Sequence, residues 1–252
     1  MCIRDRVTSL AVAESPGDVY NPLFIYGGVG LGKTHLIQSI GNFVLKNNPS
    51  AKVLYTTSES FTNEVIDLLR KKKTNQEEII EFRKKYRSVD VLLIDDIQFI
   101  SGRDRTQEEI FNIFNDLFMK HKQIVLTSDK KPKDMEGIAE RLISRFEQGL
   151  TVDIQNPDYE TRMAILKKKA ETSGYNIDEG VLQYIANHFV SNVRELEGSL
   201  TRVITFSKIS HSPITVDFAS GVLQELVAPN QENAITCEYI INIVADHFQI
   251  SP

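Results

Sequence analysis

Cysteine and histidine are scarce in this sequence, and neither is spaced like a set of metal ligands. Cys2 and Cys237 lie at opposite ends of the 252 residues and form no C-x-x-C pair. The five histidines are scattered along the chain, and no two of them stand at ligand spacing. This distribution predicts a protein of a reducing compartment and argues against a metal site built from cysteine and histidine.

An excess of basic charge and long apolar runs are also missing. Lysine and arginine number 29 against 34 aspartates and glutamates, a formal charge of −5, so any contact with nucleic acid needs a local basic patch. No apolar run approaches the length of a membrane span. The N-terminus resembles a signal peptide only faintly, because Thr8 and Ser9 break its short apolar run and Asp5 lies among arginines. We therefore expect a cytoplasmic protein that is not an integral membrane protein.

The clearest chemical signal is a phosphate-binding loop. Residues 27–34 read GGVGLGKT and fit the pattern G-x-x-x-x-G-K-[ST]. An apolar, strand-like run precedes the loop and a helical pattern follows it, which is the setting that this loop requires. Glycines let backbone N–H groups reach phosphate oxygens, Lys33 suits the β- and γ-phosphates, and the Thr34 hydroxyl suits Mg²⁺. The sequence thus predicts a nucleoside triphosphate site whose nucleotide-binding residues are Gly28, Gly30, Gly32, Lys33 and Thr34.

Acidic residues follow a later strand pattern in the way that such a site needs. The run 89–94 is almost wholly apolar and ends in Asp95 and Asp96. We expect Asp95 to hold Mg²⁺, directly or through water, and Asp96 to orient or deprotonate the attacking water. The alternative is a strand end followed by two acids in a turn. The polar end of the next strand, Thr127-Ser128-Asp129, is a weaker candidate to face the γ-phosphate or the water, because polar strand ends are common.

Strand and helix patterns alternate through the first part of the chain and then give way to helices alone. Strands are predicted at 23–26, 52–57, 89–94, 123–126 and 150–154, and helices after residue 156 at 159–172, 178–189, 192–207, 216–226 and 237–248. The alternation predicts an α/β fold with a parallel, doubly wound sheet, followed by a smaller all-α domain. We expect a nucleotide-binding domain over 1–156, an all-α lid over 157–228, and a linker with one further helix over 229–252.

Helix starts and arginines complete the predictions made from local patterns. Thr106 and Glu109 have the spacing of a capping box, and a helix is predicted over 136–146. On that helix Arg141 and Arg145 are spaced i, i+4 and share a face. They suit either surface ion pairs or an arginine finger that reaches a neighbouring subunit's γ-phosphate.

Arg194 lies in the first turn of the helix predicted over 192–207, outside its apolar stripe. From the helical domain it is suited to sensing the γ-phosphate. A local ion pair with Glu195 or Glu197 is the alternative.

Five motifs in order, GGVGLGKTHL, YRSVDVLLIDDIQFI, LTSD, RLISRF and SNVRELEG, closely resemble the AAA+ ATPase core of the bacterial chromosomal replication initiator family, DnaA. The resemblance runs from about residue 11 to about residue 251. It implies an AAA+ P-loop NTPase that binds ATP or ADP with Mg²⁺. The roles it implies are a Walker B pair for Asp95 and Asp96, sensor 1 for Asp129, the arginine finger for Arg145, a second interface arginine for Arg141 and sensor 2 for Arg194.

The same resemblance implies a function in starting chromosome replication. In such a protein the ATP form assembles into a homo-oligomeric filament at origin DNA, opens the duplex and binds single-stranded DNA. Slow ATP hydrolysis then acts as the off-switch. By this resemblance Ile66, Arg103 and Arg105 line the single-strand path, and the replicative helicase and acidic phospholipids are further partners.

Two departures from the family pattern carry expectations of their own. Residues 1–7 do not match the segment that helps to hold adenine and ribose, so we expect impaired nucleotide affinity. Residues 229–252 resemble a linker and the first helix of a truncated helix-turn-helix domain, so we expect duplex recognition to be lost. An AAA+ helicase loader or regulatory paralogue that works through protein contacts is the main alternative function, and a small-molecule kinase is a weaker one.

Overall fold

Two compact units make up the part of the chain that the computed structural model describes, residues 3–70 and 76–227. The division falls between Pro157 and Asp158. The expected linker and helix over 229–252 lie outside the described residues. The two units are described separately below.

The first unit is built on one parallel sheet of five strands within the described residues. The strands are β1 (Leu23–Gly27), β2 (Val53–Thr57), β3 (Val91–Asp95), β4 (Gln123–Ser128) and β5 (Leu150–Ile154). They lie in the order β2-β3-β4-β1-β5, and each neighbouring pair is parallel. From β1, in the interior of the sheet, the chain crosses to β2 at the far edge. In open α/β sheets the carboxyl edge at such a change of direction is where ligands bind.

Helices cover both faces of this sheet. They are α1 (Ile3–Glu14), α2 (Lys33–Asn47), α3 (Ser58–Arg70), α4 (Gln76–Arg87), α5 (Asp104–Met119) and α6 (Glu140–Glu147), with short 3-10 helices at Ile97–Ile100 and Pro132–Asp134.

Alternate residues of each strand point to opposite faces, and this separates two hydrophobic clusters. Leu23 and Leu93 join the cluster under α1 and α2, whereas Phe24 and Leu92 join the cluster under α3, α4, α5 and α6. Every residue of β3 is buried, as expected of a strand that is covered on both sides. The predicted doubly wound α/β fold is confirmed.

Some predicted element boundaries were wrong. Strand β4 continues to Ser128, two residues beyond its predicted end, because Ser128 still pairs in register with Tyr26 of β1. Helix α5 begins at Asp104, so the predicted capping box is wrong: Thr106 is buried inside the helix, and Glu109 pairs with Arg83 at 2.8 Å.

Helix α6 begins at Glu140, four residues later than predicted. Gly137 has a φ of +73°, a left-handed conformation that does not continue into a helix. A Cβ atom at this position would lie 2.5 Å from the Ser101 hydroxyl oxygen, so the loop before α6 packs closely on another segment. Leu142 and Phe146 of α6 are fully buried, so they form the inward face of this helix.

The second unit is all-helical within its described residues. It consists of α7 (Tyr159–Thr172), α8 (Glu179–His188), α9 (Val193–Ser210) and α10 (Val216–Val227). Asp158, Asp178 and Asn192 cap the first three helices by accepting hydrogen bonds from backbone N–H groups. Fully buried Leu166, Val181, Ile185, Leu200 and Val203 form the centre of its core. Across the described part of both units, no helix combines the length and apolarity that a membrane crossing requires.

Candidate nucleotide-binding site

The phosphate-binding loop connects the carboxyl end of β1 to the amino end of α2. Gly28, Gly30 and Gly32 lie in this connection, and Gly32 immediately precedes the helix that starts at Lys33. The loop leaves the sheet beside β5, where a Cβ atom at Gly27 would lie 2.4 Å from the carbonyl oxygen of Ile154. Glycine at this position therefore allows the loop to pass directly over the edge of the sheet.

Lys33 is held against the loop from which it projects. Its side chain is buried, and its Nζ donates hydrogen bonds to the carbonyl oxygens of Gly27 at 2.7 Å and Gly28 at 2.8 Å. A buried ammonium group over backbone amides at a helix N-terminus is suited to anions. Thr34 is half-buried and directly follows Lys33 in the first turn of α2.

Asp95 is the buried acid at the end of β3. Asp95 is 2% exposed, and both of its carboxylate oxygens accept hydrogen bonds. The Tyr55 hydroxyl donates to Oδ2 at 3.0 Å, and the Thr127 hydroxyl donates to Oδ1. Burial, and after it the charge of Asp95, raises the pKa of the Tyr55 hydroxyl, so this group remains a donor at neutral pH.

Thr127 joins the ends of β3 and β4. Besides donating to Asp95, its Oγ1 accepts a hydrogen bond from the backbone N–H of Asp96 at 2.9 Å. Sequence reasoning selected the polar end of β4 but favoured Asp129, whereas Thr127 makes the contact with the acid pair. Tyr55 was missed, because nothing in the local pattern of β2 indicates that its hydroxyl reaches β3.

Asp96 has an unusual backbone conformation that its neighbours hold in place. Its φ is +54°, in the left-handed region that non-glycine residues seldom adopt. Thr127 accepts from its N–H, and the Ser58 hydroxyl donates to its carbonyl oxygen. Its carboxylate accepts only a 3.3 Å hydrogen bond from the Gln98 side-chain amide within the described chain. A strained residue fixed from several sides is typical of functional sites.

Asp129 follows β4 at the same edge of the sheet. Its Oδ1 is buried and has no hydrogen-bond partner among the described residues. A buried acceptor of this kind costs free energy unless a ligand or a water molecule donates to it. Asp95 and Asp96 at the end of β3, Asp129 after β4 and the Thr34 hydroxyl each supply oxygen atoms of the kind that Mg²⁺ prefers, although no three acidic, histidine or cysteine side chains of the described residues are grouped closely enough to hold a metal ion by themselves. The residues present therefore fit a nucleotide with Mg²⁺.

The two arginines of α6 lie over aromatic rings of α5. The Arg141 guanidinium is 4.7 Å from the centre of the Phe111 ring, and that of Arg145 is 5.9 Å from the centre of the Phe118 ring. Arg145 also donates to the Gln148 side chain at 2.8 Å. Neither arginine forms an ion pair with a described residue.

The residues predicted to line a single-strand path lie on neighbouring helices of one sheet face. Ile66 is half-buried on α3, and Arg103 is exposed immediately before α5. Arg105, in the first turn of α5, pairs with Glu108 at 3.4 Å, with side chains 76% and 50% exposed. Such an exposed ion pair is weak, so the Arg105 guanidinium is accessible to a ligand, as is that of the exposed Arg103.

Arg194 is the one predicted site residue that belongs to the second unit. It is exposed and is the second residue of α9. The ion pair with Glu195 or Glu197 that was the alternative is not found among the described residues: Glu195 accepts from the Ser191 hydroxyl, and Glu197 pairs with Lys169 at 3.7 Å.

Comparisons with known proteins identify one family. The family described as the bacterial DnaA ATPase domain matches residues 5–153. The chromosomal replication initiator protein DnaA of Lachnoclostridium phytofermentans is 56% identical over 246 residues, which is 98% of this chain and 54% of that protein. The chain thus spans about half the length of this curated relative.

Solved structures give the same result. Domain III of the replication initiation protein DnaA from Thermotoga maritima is 42% identical with a TM-score of 0.81, covering 88% of this chain and 90% of that one. A replication initiator DnaA bound to AMPPCP and single-stranded DNA is 34% identical with a TM-score of 0.75, covering 99% of this chain and 71% of that one. This chain therefore belongs to the DnaA family of bacterial replication initiators and has its AAA+ ATPase fold.

Proposed function

We propose that this chain is the ATP-binding core of a replication initiator, with ATP and Mg²⁺ bound at the carboxyl edge of its sheet. The observation that carries this proposal is the presence, at one edge, of the phosphate-binding loop and of the acid pair linked through Thr127. The related initiator bound to AMPPCP supports it. In this proposal residues 1–156 hold the nucleotide and residues 157–228 act as the lid.

Each polar group at this edge has a chemical task in the proposal. Lys33 and the loop amides bind the β- and γ-phosphates, while Thr34 and Asp95 hold Mg²⁺, which neutralises phosphate charge. Asp96, whose carboxylate is only weakly engaged, orients or deprotonates the attacking water. Asp129 accepts a hydrogen bond from the water or faces the γ-phosphate. Hydrolysis is slow and returns the core to its inactive form.

Arginines link the nucleotide to assembly. Arg145 stabilises transition-state charge on the γ-phosphate of a neighbouring subunit, with Arg141 beside it at the interface. Arg194, in the lid, senses the γ-phosphate of the nucleotide bound to its own chain. The cation–π contacts with α5 support this arrangement, because they hold both guanidinium groups on one face without neutralising them. ATP thus favours a homo-oligomer.

Single-stranded DNA binds along the assembled form in this proposal. Arg103 and Arg105 contact phosphates, and Ile66 supplies an apolar contact for sugar or base. Support comes from their exposure on neighbouring helices and from the related initiator bound to single-stranded DNA. Assembly at origin DNA, duplex opening, contacts with the replicative helicase and acidic phospholipids, and a cytoplasmic location complete the proposal on the basis of family membership, whereas sequence-specific duplex recognition is not assigned to this chain.

The test is a titration of a fluorescently labelled single-stranded oligonucleotide with this chain in ATP and in ADP, followed by anisotropy. We expect tight binding only in ATP. Arg145→Ala should abolish the difference between nucleotides, and Lys33→Met should abolish binding of a fluorescent ATP analogue. Lys168→Ala, which removes one positive charge from an 80% exposed side chain in the second unit, is the control.

Equal single-strand binding in the two nucleotides, with ATP bound normally, contradicts the switch. That result favours the loader or regulatory paralogue, which acts through protein contacts.

A further inference from the structure

Gln107 is buried in α5 and uses its side chain to connect segments that are distant in sequence. Gln107 is 3% exposed. Its Nε2 donates hydrogen bonds to the carbonyl oxygens of Ile100 at 3.1 Å and Gly137 at 2.8 Å. Its Oε1 accepts from the backbone N–H of Ala139 at 2.8 Å. Since carbonyl groups only accept and amide N–H groups only donate, the orientation of the Gln107 amide is fixed.

The segments joined in this way lead to two of the proposed functional surfaces. Ile100 ends the 3-10 helix that follows Asp96 and stands three residues before Arg103. Ala139 immediately precedes α6, the helix that carries Arg145. One side chain therefore supports both the start of the single-strand segment and the start of the intersubunit helix.

Further bonds make the two segments one packed structure around Gln107. The backbone N–H of Gly102 donates to the carbonyl oxygen of Gly137 at 2.9 Å, and the Ser101 hydroxyl donates to that of Glu136. The close approach of Gly137 to Ser101 leaves no room for a Cβ atom. A shift of either segment thus strains or breaks hydrogen bonds to the other.

We propose that Gln107 is a positioning residue that couples the single-strand segment Arg103–Arg105 to the intersubunit helix α6. This inference rests on the proposed function for the roles of those arginines. Contact of Arg145 with a neighbour fixes α6, and the Gln107 amide transmits that position to Arg103. By reciprocity, bound single-stranded DNA strengthens the assembly.

The chain offers a matched control at the opposite edge of the sheet. Gln123 is 0% exposed, its Oε1 accepts from the Gly17 N–H at 2.8 Å, and its Nε2 donates to the carbonyl oxygens of Tyr20 at 2.9 Å and Ile124 at 3.0 Å. Gln107→Met and Gln123→Met therefore remove the same kinds of hydrogen bond from equally buried sites. Only the first touches the proposed connection.

The physical connection is tested by amide hydrogen exchange on the full chain. Gln107→Met should speed exchange at both Gly102 and Ala139, whereas Gln123→Met should change neither. Gln107→Glu keeps an acceptor for Ala139 but removes the amide donors, so Gly102 should lose more protection than Ala139. Unchanged exchange at either residue in Gln107→Met, or equal effects of the Gln107→Met and Gln123→Met substitutions, would overturn the proposal.

The functional coupling is tested by the ratio of single-strand affinity in saturating ATP to that in ADP. We expect Gln107→Met to reduce this ratio about five-fold or more, and Gln123→Met to leave it unchanged. An unchanged ratio in Gln107→Met overturns the coupling even if exchange is altered. Equal single-strand affinities in ATP and ADP for the unsubstituted chain would refute both the proposed function and the coupling. Amide hydrogen exchange at Gly102 and Ala139 would still decide whether Gln107 holds the two segments together.

Discussion

The Thr127 hydroxyl makes two hydrogen bonds between neighbouring strand ends, and Thr127→Val removes both with little change of shape. Thr127 is fully buried, so water does not replace the lost hydroxyl. The substitution leaves the Asp95 carboxylate without one of its two donors and the Asp96 N–H without its acceptor. We expect Thr127→Val to destabilise the first unit and to weaken nucleotide binding with Mg²⁺.

The size of the stability loss follows from the groups involved. A hydrogen bond to a charged group contributes about 1.5–3 kcal/mol, and a buried N–H left without a partner costs about 1–3 kcal/mol. Because the strands are able to relax slightly, the two costs do not add fully. We expect a loss of about 3 kcal/mol in the free energy of unfolding.

The assay is urea unfolding of the full chain followed by circular dichroism, since the sequence has no tryptophan. Thr62→Val is the control: Thr62 is also buried, but its hydroxyl donates only to the Ser58 carbonyl oxygen of the same helix at 2.7 Å. The control should lose about 1 kcal/mol or less. Equal losses for the two substitutions would refute the view that the Thr127 hydroxyl holds the ends of β3 and β4 together. Thr127→Ser should recover most of the lost stability because it keeps the hydroxyl.

Three further substitutions test other parts of the first unit. The Lys122 ammonium lies 2.7 Å from the Asp90 carboxylate and is the main cause that lowers the pKa of Asp90. The ionised Asp90 therefore stabilises the folded state fully above about pH 4, and this contribution is lost as the pH falls through the lowered pKa of the folded state. Asp90→Asn should therefore reduce the fall in melting temperature on acidification. An equal fall in melting temperature with and without the substitution would contradict this. Phe111→Leu removes the ring beneath Arg141, an interaction of about 0.5–1 kcal/mol, so ATP-dependent assembly measured by analytical ultracentrifugation should weaken about two- to five-fold, whereas unchanged assembly would exclude a role for the ring. Gly27→Ala places a Cβ atom 2.4 Å from a carbonyl oxygen of β5 and should weaken binding of a fluorescent nucleotide, while normal affinity would show that the loop can move aside.

Features that depend on a contiguous stretch of chain could be predicted from the sequence. The phosphate-binding loop is one such feature, because its glycines, Lys33 and the start of α2 are adjacent in sequence. The buried β3 ending in Asp95 is another, since a strand covered on both faces is apolar almost throughout. The fold class followed from the alternation of such elements.

Features that depend on how distant segments meet could not be predicted in the same way. The hydrogen bond from Tyr55 to Asp95 requires β2 and β3 to be neighbours in the sheet, which the chain order alone does not specify. The start of α6 depends on Gln107, which lies 32 residues before the Ala139 N–H that it accepts from. Local propensity placed that helix start four residues too early because the loop at Gly137 is fixed by tertiary contacts.

The two acids at the end of β3 are held in opposite ways, and this difference suits the different tasks proposed for them. Asp95 is fixed through its carboxylate, which accepts from Tyr55 and Thr127 and is buried. A carboxylate with a set orientation is suited to holding a metal ion whose geometry is strict. Asp96 is fixed through its backbone, by Thr127 at its N–H and by Ser58 at its carbonyl oxygen, while its carboxylate accepts only one long hydrogen bond from the described residues. A carboxylate in that state is able to turn toward a water molecule, so the strained backbone of Asp96 supplies position and leaves the reactive group free to move.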